Sequence, residues 1–269
     1  MNEPTLKTVE LRYQSIPPFR LAYETEDEII HEIRRFGAYD RYVLDMMLNP
    51  GFQRRIGPVR TVLDIGANIG TYAVAFGKLL GPSGQVIAVE GNTETARVLA
   101  HNAHINDLTN IKVVQAVMAG KISAIEEVRT EGSSQSEFRR NADGAGEMRA
   151  ITIDQLCASL TNLQFIKIDV NGADFEILNG GYETLKRFRP SILIEFSPGM
   201  IEPKDFSRTV EILEEQSYNL SFFRGHSVGA LEPMNRRMLE ETYAFWRKIA
   251  GGCWMNLFFT PRRNQKPAA

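Results

Sequence analysis

From residue 60 onwards short apolar runs alternate with helically patterned stretches, and no other feature constrains the fold as much. Thr61-Val62-Leu63-Asp64-Ile65, Gln85-Val86-Ile87-Ala88-Val89-Glu90, Ile111-Lys112-Val113-Val114, Phe165-Ile166-Lys167-Ile168-Asp169 and Ser191-Ile192-Leu193-Ile194-Glu195-Phe196 read as strands. Between them, Thr71 to Leu80, the stretch after Asn92 with Ala96, Leu99, Ala100 and Ala103 on one face, and Asp174 to Phe188 read as helices. Strands that are apolar almost throughout need both faces covered, so the alternation predicts an α/β fold with a mostly parallel sheet between helices. A helix near Asp205 to Glu215 then precedes Leu220-Ser221-Phe222-Phe223, and Trp254 to Phe259 is the last strand. These two late strands can pair antiparallel at the sheet edge.

Upstream of residue 60 the pattern differs. Val9-Glu10-Leu11-Arg12-Tyr13 suits an extended strand or hairpin, and residues 26–49 read as two short helices separated by Gly37, with Asp27 as a cap and Asn49-Pro50-Gly51 as a stop. The expected organisation is a strand/helix cap over 1–58, a main domain over 59–260 and a flexible tail over 261–269. Residues 119–150 break the rhythm and read as a long polar loop, with Glu131 to Ser136 expected to fold over the substrate. Among 269 residues the 31 basic and 33 acidic side chains nearly balance, which argues against nucleic acid or an anionic membrane as partner. No run approaches the ~20 apolar residues of a membrane helix. Two cysteines, Cys157 and Cys253, exclude a disulfide framework and fit a reducing, cytoplasmic setting.

The most informative segment is Asp64-Ile65-Gly66-Ala67-Asn68-Ile69-Gly70, which leaves a strand, turns tightly and enters a helix. Such a turn brings free backbone N–H groups close to a ligand. Glu90 ends the next strand, where a carboxylate accepts both hydroxyls of a ribose. A dinucleotide loop has a glycine where this chain has Asn68, which disfavours a pyrophosphate and hence a nicotinamide or flavin cofactor. Asp64 beside the loop suits an ammonium. S-adenosylmethionine combines ammonium, carboxylate and ribose.

The loop, Val86-Ile87-Ala88-Val89-Glu90, Ile166-Lys167-Ile168-Asp169-Val170-Asn171-Gly172-Ala173-Asp174, Ile177-Leu178-Asn179-Gly180-Gly181 and Arg189-Pro190-Ser191-Ile192-Leu193-Ile194-Glu195 together resemble the FkbM-type methyltransferases in order and spacing over about residues 25–200. The resemblance implies a Rossmann-like class I methyltransferase sheet with an antiparallel edge strand, S-adenosylmethionine as donor, and methylation of a hydroxyl on a sugar or natural product. It implies that Gly66, Asn68 and Gly70 line the methionine part of the donor, that Glu90 holds the ribose with Gly91 and Asn92 nearby, that Ala116 faces the adenine, and that Asp169 sits beside the transferred methyl. Three positions depart from the family pattern. Gly91 replaces a proline, Asn171 replaces the first glutamate of the fourth motif, and Asp174 replaces the second.

Methyl transfer needs alignment and a place for the acceptor's proton. Asp169 and Glu195, both at strand ends, are the leading base candidates, against the simpler reading of hydrogen-bond acceptors that only hold the site. His101 and His104 share a face that suits solvent, and His31 and His226 are further possible bases. Cys157 and Cys253 read as small core residues, and no metal site is expected. The acceptor is expected to be a small molecule or glycan, and a homo-oligomer is possible. Two rival readings are a non-catalytic relative that keeps the fold as a binding or scaffold protein, motivated by Asn171, and a nicotinamide-dependent oxidoreductase, disfavoured by Asn68.

Overall fold

The structure is a computed structural model and describes residues 6–121, 123–129, 136–140, 148–223, 231–249 and 252–262. A hairpin, β1 (Lys7–Leu11) and β2 (Phe19–Tyr23), is followed by α1 (Glu28–Phe36), α2 (Arg41–Leu48) and α3 (Pro50–Ile56). The main sheet begins with β3 (Thr61–Ile65), α4 (Thr71–Leu80), β4 (Gln85–Glu90), α5 (Thr93–Ile105) and β5 (Ile111–Gln115). A small sheet of β6 (Ser123–Arg129), β7 (Ser136–Arg140) and β8 (Met148–Ala150) comes next, then α6 (Ile153–Cys157), β9 (Phe165–Ile168), α7 (Asp174–Asn179), α8 (Tyr182–Phe188) and β10 (Ser191–Phe196). The chain closes with α9 (Pro203–Glu215), β11 (Tyr218–Phe223), β12 (Leu231–Met234), α10 (Arg236–Trp246) and β13 (Met255–Pro261).

The eight strands of the main sheet lie in the order β12-β11-β13-β10-β9-β3-β4-β5. The run from β10 to β5 is parallel, and β13 pairs antiparallel with both β10 and β11. From β3 the chain steps outward to β4 and β5, and then returns to the other side of β3 as β9. The crevice at the carboxyl ends of β3 and β9 is therefore the switch point at which open α/β sheets bind ligands.

Alternation along each strand divides the core between the two faces. Val62, Val86, Ala88, Phe165, Leu193 and Phe258 share one cluster with α4, α5 and the N-terminal elements. Leu63, Ile87, Val89, Ile166, Ile168, Ile192, Ile194, Leu257 and Phe259 face the other cluster, with α6 to α10. Both clusters are buried, which explains why the strands read as continuous apolar runs.

Several expectations are corrected. The two late strands do pair antiparallel, but β13 lies inside the sheet and the edge strand is β12, which carries Pro233 and so masks its pattern in sequence. An edge strand tolerates a proline because its outer N–H positions have no partner. Asn49-Pro50-Gly51 ends α2 but also starts α3, since the Asn49 side chain accepts the Gly51 N–H at 2.8 Å and Pro50 takes the first helical position. The stretch 119–150 contains the strands β6, β7 and β8 rather than only loop, and a bridge between Met118 and Ile151 closes its base. Within Glu131–Ser136, only Ser136 lies inside the described residues, as the first residue of β7. The helix read over 174–188 is two helices, because Gly180 passes against the 119–120 backbone and Gly181 against the Ile153 side chain. A Cβ on Gly180 would stand 2.9 Å from the Ala119 carbonyl oxygen. At the far end β13 continues to Pro261, and the Arg262 N–H bonds to Ser217 O at 2.9 Å, so the strand runs past residue 260.

The N-terminal hairpin is tied to the main sheet by one buried side chain. Asn102 on α5 is fully buried, accepts the Ala22 N–H at 2.6 Å and donates to Ala22 O at 2.9 Å and Ile69 O at 2.8 Å. It thus satisfies the free edge of β2 and fixes it to the loop before α4. Asn102→Ala is expected to cost about 2–4 kcal/mol by leaving these groups unsatisfied. Urea unfolding checks this; a change below about 0.5 kcal/mol, typical of a bland surface site, would show that water replaces the tie.

Candidate methyl-transfer site

The β3–α4 turn owes its shape to three residues with positive φ. Gly66 is at φ 74, Asn68 at φ 49 and Gly70 at φ 99. Asn is among the few residues that tolerate the left-handed region, and here its Oδ1 accepts the Ile69 N–H at 2.7 Å. The N–H groups of Gly66 and Ala67 both reach Val89 O at 3.0 Å, which ties the turn to β4. At the end of β4 the Glu90 carboxylate accepts one N–H on each oxygen, from Asn68 at 2.9 Å and from Asn92 at 2.9 Å. Each oxygen keeps lone pairs for a further donor. Burial pushes the Glu90 carboxyl up, opposed by these N–H groups. Asn92 also caps α5 through the Thr95 N–H at 2.8 Å. Ala116 donates its N–H to Glu90 O at 3.0 Å, and Gln115 reaches Gly91 O at 2.9 Å. Gly66, Asn68, Gly70, Glu90, Gly91, Asn92 and Ala116 are thereby brought to one sheet edge.

Beneath this edge lies a residue the sequence reading did not single out. Lys167 on β9 is buried, with its Nζ 3.2 Å from Gly66 O, 3.4 Å from Asp169 Oδ2 and 3.5 Å from Asp64 Oδ1. The ammonium also lies 5.0 Å above the Tyr72 ring. Burial alone would lower its proton affinity, but Asp169 and Asp64 overcome this and hold it above the ordinary lysine value. Asp64 is fully buried, and burial pushes its carboxyl up against the pull of Lys167. The ammonium beside Asp64 is therefore that of Lys167. The signal in sequence was a single charge within Phe165-Ile166-Lys167-Ile168, since lysines are rarely buried unless paired.

Asp169 follows β9 and keeps its side chain about one-third exposed. After it the chain turns through Asn171 at φ 54 and Gly172 at φ 100. The buried Asp174 carboxylate clamps this turn by accepting the Val170 N–H at 2.9 Å and the Gly172 N–H at 2.8 Å. Burial, reinforced by Asp169, raises its pKa to about 6. The clamp accounts for two departures from the family pattern: Asn171 suits a left-handed position, and Asp174 has the reach to bond a turn two to four residues back. Glu195, at the end of β10, accepts the Ser197 hydroxyl at 2.6 Å, and burial next to Asp169 raises its pKa to about 7.

The N-terminal elements reach the same place. The Tyr72 hydroxyl on α4 donates to Asp40, whose pKa burial raises to about 6, with Asp169, Glu32 and Lys167 close enough to perturb it. Tyr39 is likewise raised, by burial and by Asp169, Asp40, Glu32 and Glu195. The sequence reading missed Asp40, Tyr39 and Tyr72. By contrast His31, His101 and His104 are exposed, and His226 lies outside the described residues. Cys157 is buried, with its thiol pushed up to about 12, while Cys253 is half-buried. No cluster of metal-ligating side chains occurs among the described residues.

Residues 64–220, more than half the chain, match the Methyltransferase FkbM domain. The chain belongs to the FkbM methyltransferase family. Among solved structures this FkbM-family chain is similar to the O-methyltransferase TomG from Streptomyces achromogenes, at 14% identity, TM-score 0.49, and coverage of 88% of this chain and 91% of that one. It is also similar to precorrin-6y C5,15-methyltransferase from Geobacter metallireducens, at 14% identity, TM-score 0.45, and coverage of 90% and 94%. No curated protein matches it in sequence. The FkbM match begins at Asp64 and includes the turn, Glu90, Lys167, Asp169, Asp174 and Glu195. Asp40 and Tyr39 lie outside it.

Proposed function

We propose that the chain is an S-adenosylmethionine-dependent methyltransferase that methylates a hydroxyl of a small molecule or sugar. The observation that carries this is the pairing of a glycine turn with a half-satisfied carboxylate at the switch point of the sheet. Glu90 accepts the Asn68 N–H from the turn and the Asn92 N–H from the cap of α5, and its remaining lone pairs have capacity for a ribose diol. The residues present fit the donor. Gly66, Asn68 and Gly70 would lie along its methionine part, Glu90 with Gly91 and Asn92 would hold the ribose, and Ala116 would lie against the adenine. Asp64 would act through Lys167, by keeping that ammonium in place under the turn. The bound donor supplies a methyl group already activated by a sulfonium.

The chain's own residues do the remaining work. Asp169, held by Lys167, and Glu195, held by Ser197, stand at adjacent strand ends, where they would bind and orient the acceptor's hydroxyl. Orientation of this kind supplies several kcal/mol of the barrier reduction. The carboxylate-rich surroundings also favour a cationic centre over a neutral one. No helix among the described residues is long and apolar enough to cross a membrane, and the two cysteines are free, in keeping with an enzyme of the cytoplasm.

Calorimetric titration with S-adenosylmethionine and S-adenosylhomocysteine tests the reading. Micromolar binding is expected, and Glu90→Ala is expected to weaken it at least about 30-fold, the equivalent of losing two charge-assisted hydrogen bonds. Tighter binding of NAD than of either ligand would move the turn to the oxidoreductase reading. Binding unchanged in Glu90→Ala would remove the ribose assignment.

A further inference from the structure

The turn between α1 and α2 is held from three directions. The Tyr13 hydroxyl donates to Tyr39 O at 2.6 Å, the Tyr39 N–H donates back to that hydroxyl at 3.2 Å, and the Asp40 N–H donates to Glu32 Oε1 at 2.9 Å. Asp40 is thereby kept in the left-handed region, at φ 48 and ψ 41, which few non-glycine residues adopt. Its carboxylate receives the Tyr72 hydroxyl in the first turn of α4, directly after the glycine turn. The Tyr72 ring lies under Lys167, and Lys167 holds Asp169. A continuous set of contacts thus leads from the N-terminal segment to the end of β9.

A second observation concerns the same cluster. Asp64, fully buried, faces the same ammonium, with Lys167 Nζ 3.5 Å from its Oδ1. Asp64 thereby fixes the position of the lysine that holds Asp169. Tyr39, Asp40, Asp169 and Glu195 are each only partly buried.

We propose that Asp40 is a catalytic residue, the carboxylate that takes the proton from the acceptor's hydroxyl. The inference rests on the methyltransferase reading above. Asp40 Oδ gains the proton as the O–H bond breaks, and the oxygen's electron pair forms the new bond to the methyl carbon. The carbon–sulfur pair returns to sulfur, which leaves as a neutral thioether. Asp40 then releases its proton to water. Asp169 is engaged by the Lys167 ammonium at 3.4 Å, whereas among the described residues the Asp40 carboxylate is hydrogen-bonded by the neutral Tyr72 hydroxyl.

The test needs no acceptor. Sinefungin carries an ammonium on the carbon that replaces the donor's sulfonium centre, so it probes for a carboxylate next to the reacting methyl. Calorimetry is expected to show it binding about tenfold or more tighter than S-adenosylhomocysteine, the gain of one charge-assisted bond. Asp40→Asn is expected to leave S-adenosylhomocysteine binding unchanged and to erase most of that preference. Asp40→Gly, which suits the left-handed backbone and so keeps the turn, is expected to do the same. A preference intact in both variants overturns the inference, as does a preference lost only in Glu195→Gln. Failure of the wild-type chain to bind either ligand instead overturns the methyltransferase reading, and the inference with it.

Discussion

Lys167→Met is expected to lower the unfolding free energy by about 3–5 kcal/mol, the range found when one partner of a buried charge pair is removed. Methionine fills much the same volume, so the loss is electrostatic. Lys167 is the counter-charge of a fully buried Asp64, and it also holds Asp169 and the Gly66 carbonyl. Without it, Asp64 must either stay ionised in an apolar surrounding or take up a proton. The pH dependence separates this account from one based on packing. In the variant the folded-state pKa of Asp64 rises further above the unfolded value of about 4, so the folded state binds more protons in between. Stability of the variant therefore increases as pH falls through that window. Urea unfolding at pH 8 and pH 5 is expected to show a wide gap between wild type and variant at pH 8 and a narrower one at pH 5. An equal gap at both would assign the contribution of Lys167 to its methylene packing.

The same residue shows where sequence reading stops. The strands β3, β4, β9 and β10 were legible because a parallel strand buried on both faces needs an unbroken apolar run, and so were the helices with an apolar stripe. The turn and Glu90 were legible because a tight strand-to-helix turn needs left-handed backbone at 66, 68 and 70. Edge strand β12 was not, because Pro233 and an exposed face erase the pattern. Nor were β6, β7 and β8, a small sheet set into a polar stretch. Lys167 stood in plain view inside a strand, but its partners come from β3 and from the residue after its own strand. Asp40 and Tyr39 gave no signal at all. Their place in the site depends on Tyr13, Glu32 and Tyr72, from three other parts of the chain. Backbone-encoded features of the site could be read, and those assembled by tertiary contact could not.

Gly66→Ala is expected to cost more than 3 kcal/mol and to abolish donor binding, and a three-member glycine series shows why. Gly199 lies in open space without positive φ, so Gly199→Ala introduces neither strain nor contact and is expected to be neutral. Gly81 has φ 62 and ψ −170, a region essentially confined to glycine, but nothing within 4 Å of an added Cβ, so Gly81→Ala isolates the conformational strain, about 1–3 kcal/mol. Gly66 combines φ 74 with a Cβ position only 1.9 Å from the Asp169 carbonyl oxygen and 2.9 Å from Val170 Cγ1. The obstacle is mainly backbone, and that backbone is itself held, since the Asp169 N–H bonds to Ile65 O at 3.1 Å and Asp174 clamps the turn that follows. Relief requires β3 and β9 to separate at the switch point. That would move the Gly66 carbonyl off Lys167 and displace Asn68 from Glu90, so stability and donor binding should fall together. Urea unfolding and calorimetry with S-adenosylhomocysteine on the three variants measure both. If Gly66→Ala costs no more than Gly81→Ala, the two strand ends have room to part. The close approach at 66 and 169 would then be a consequence of packing, not a condition of the site.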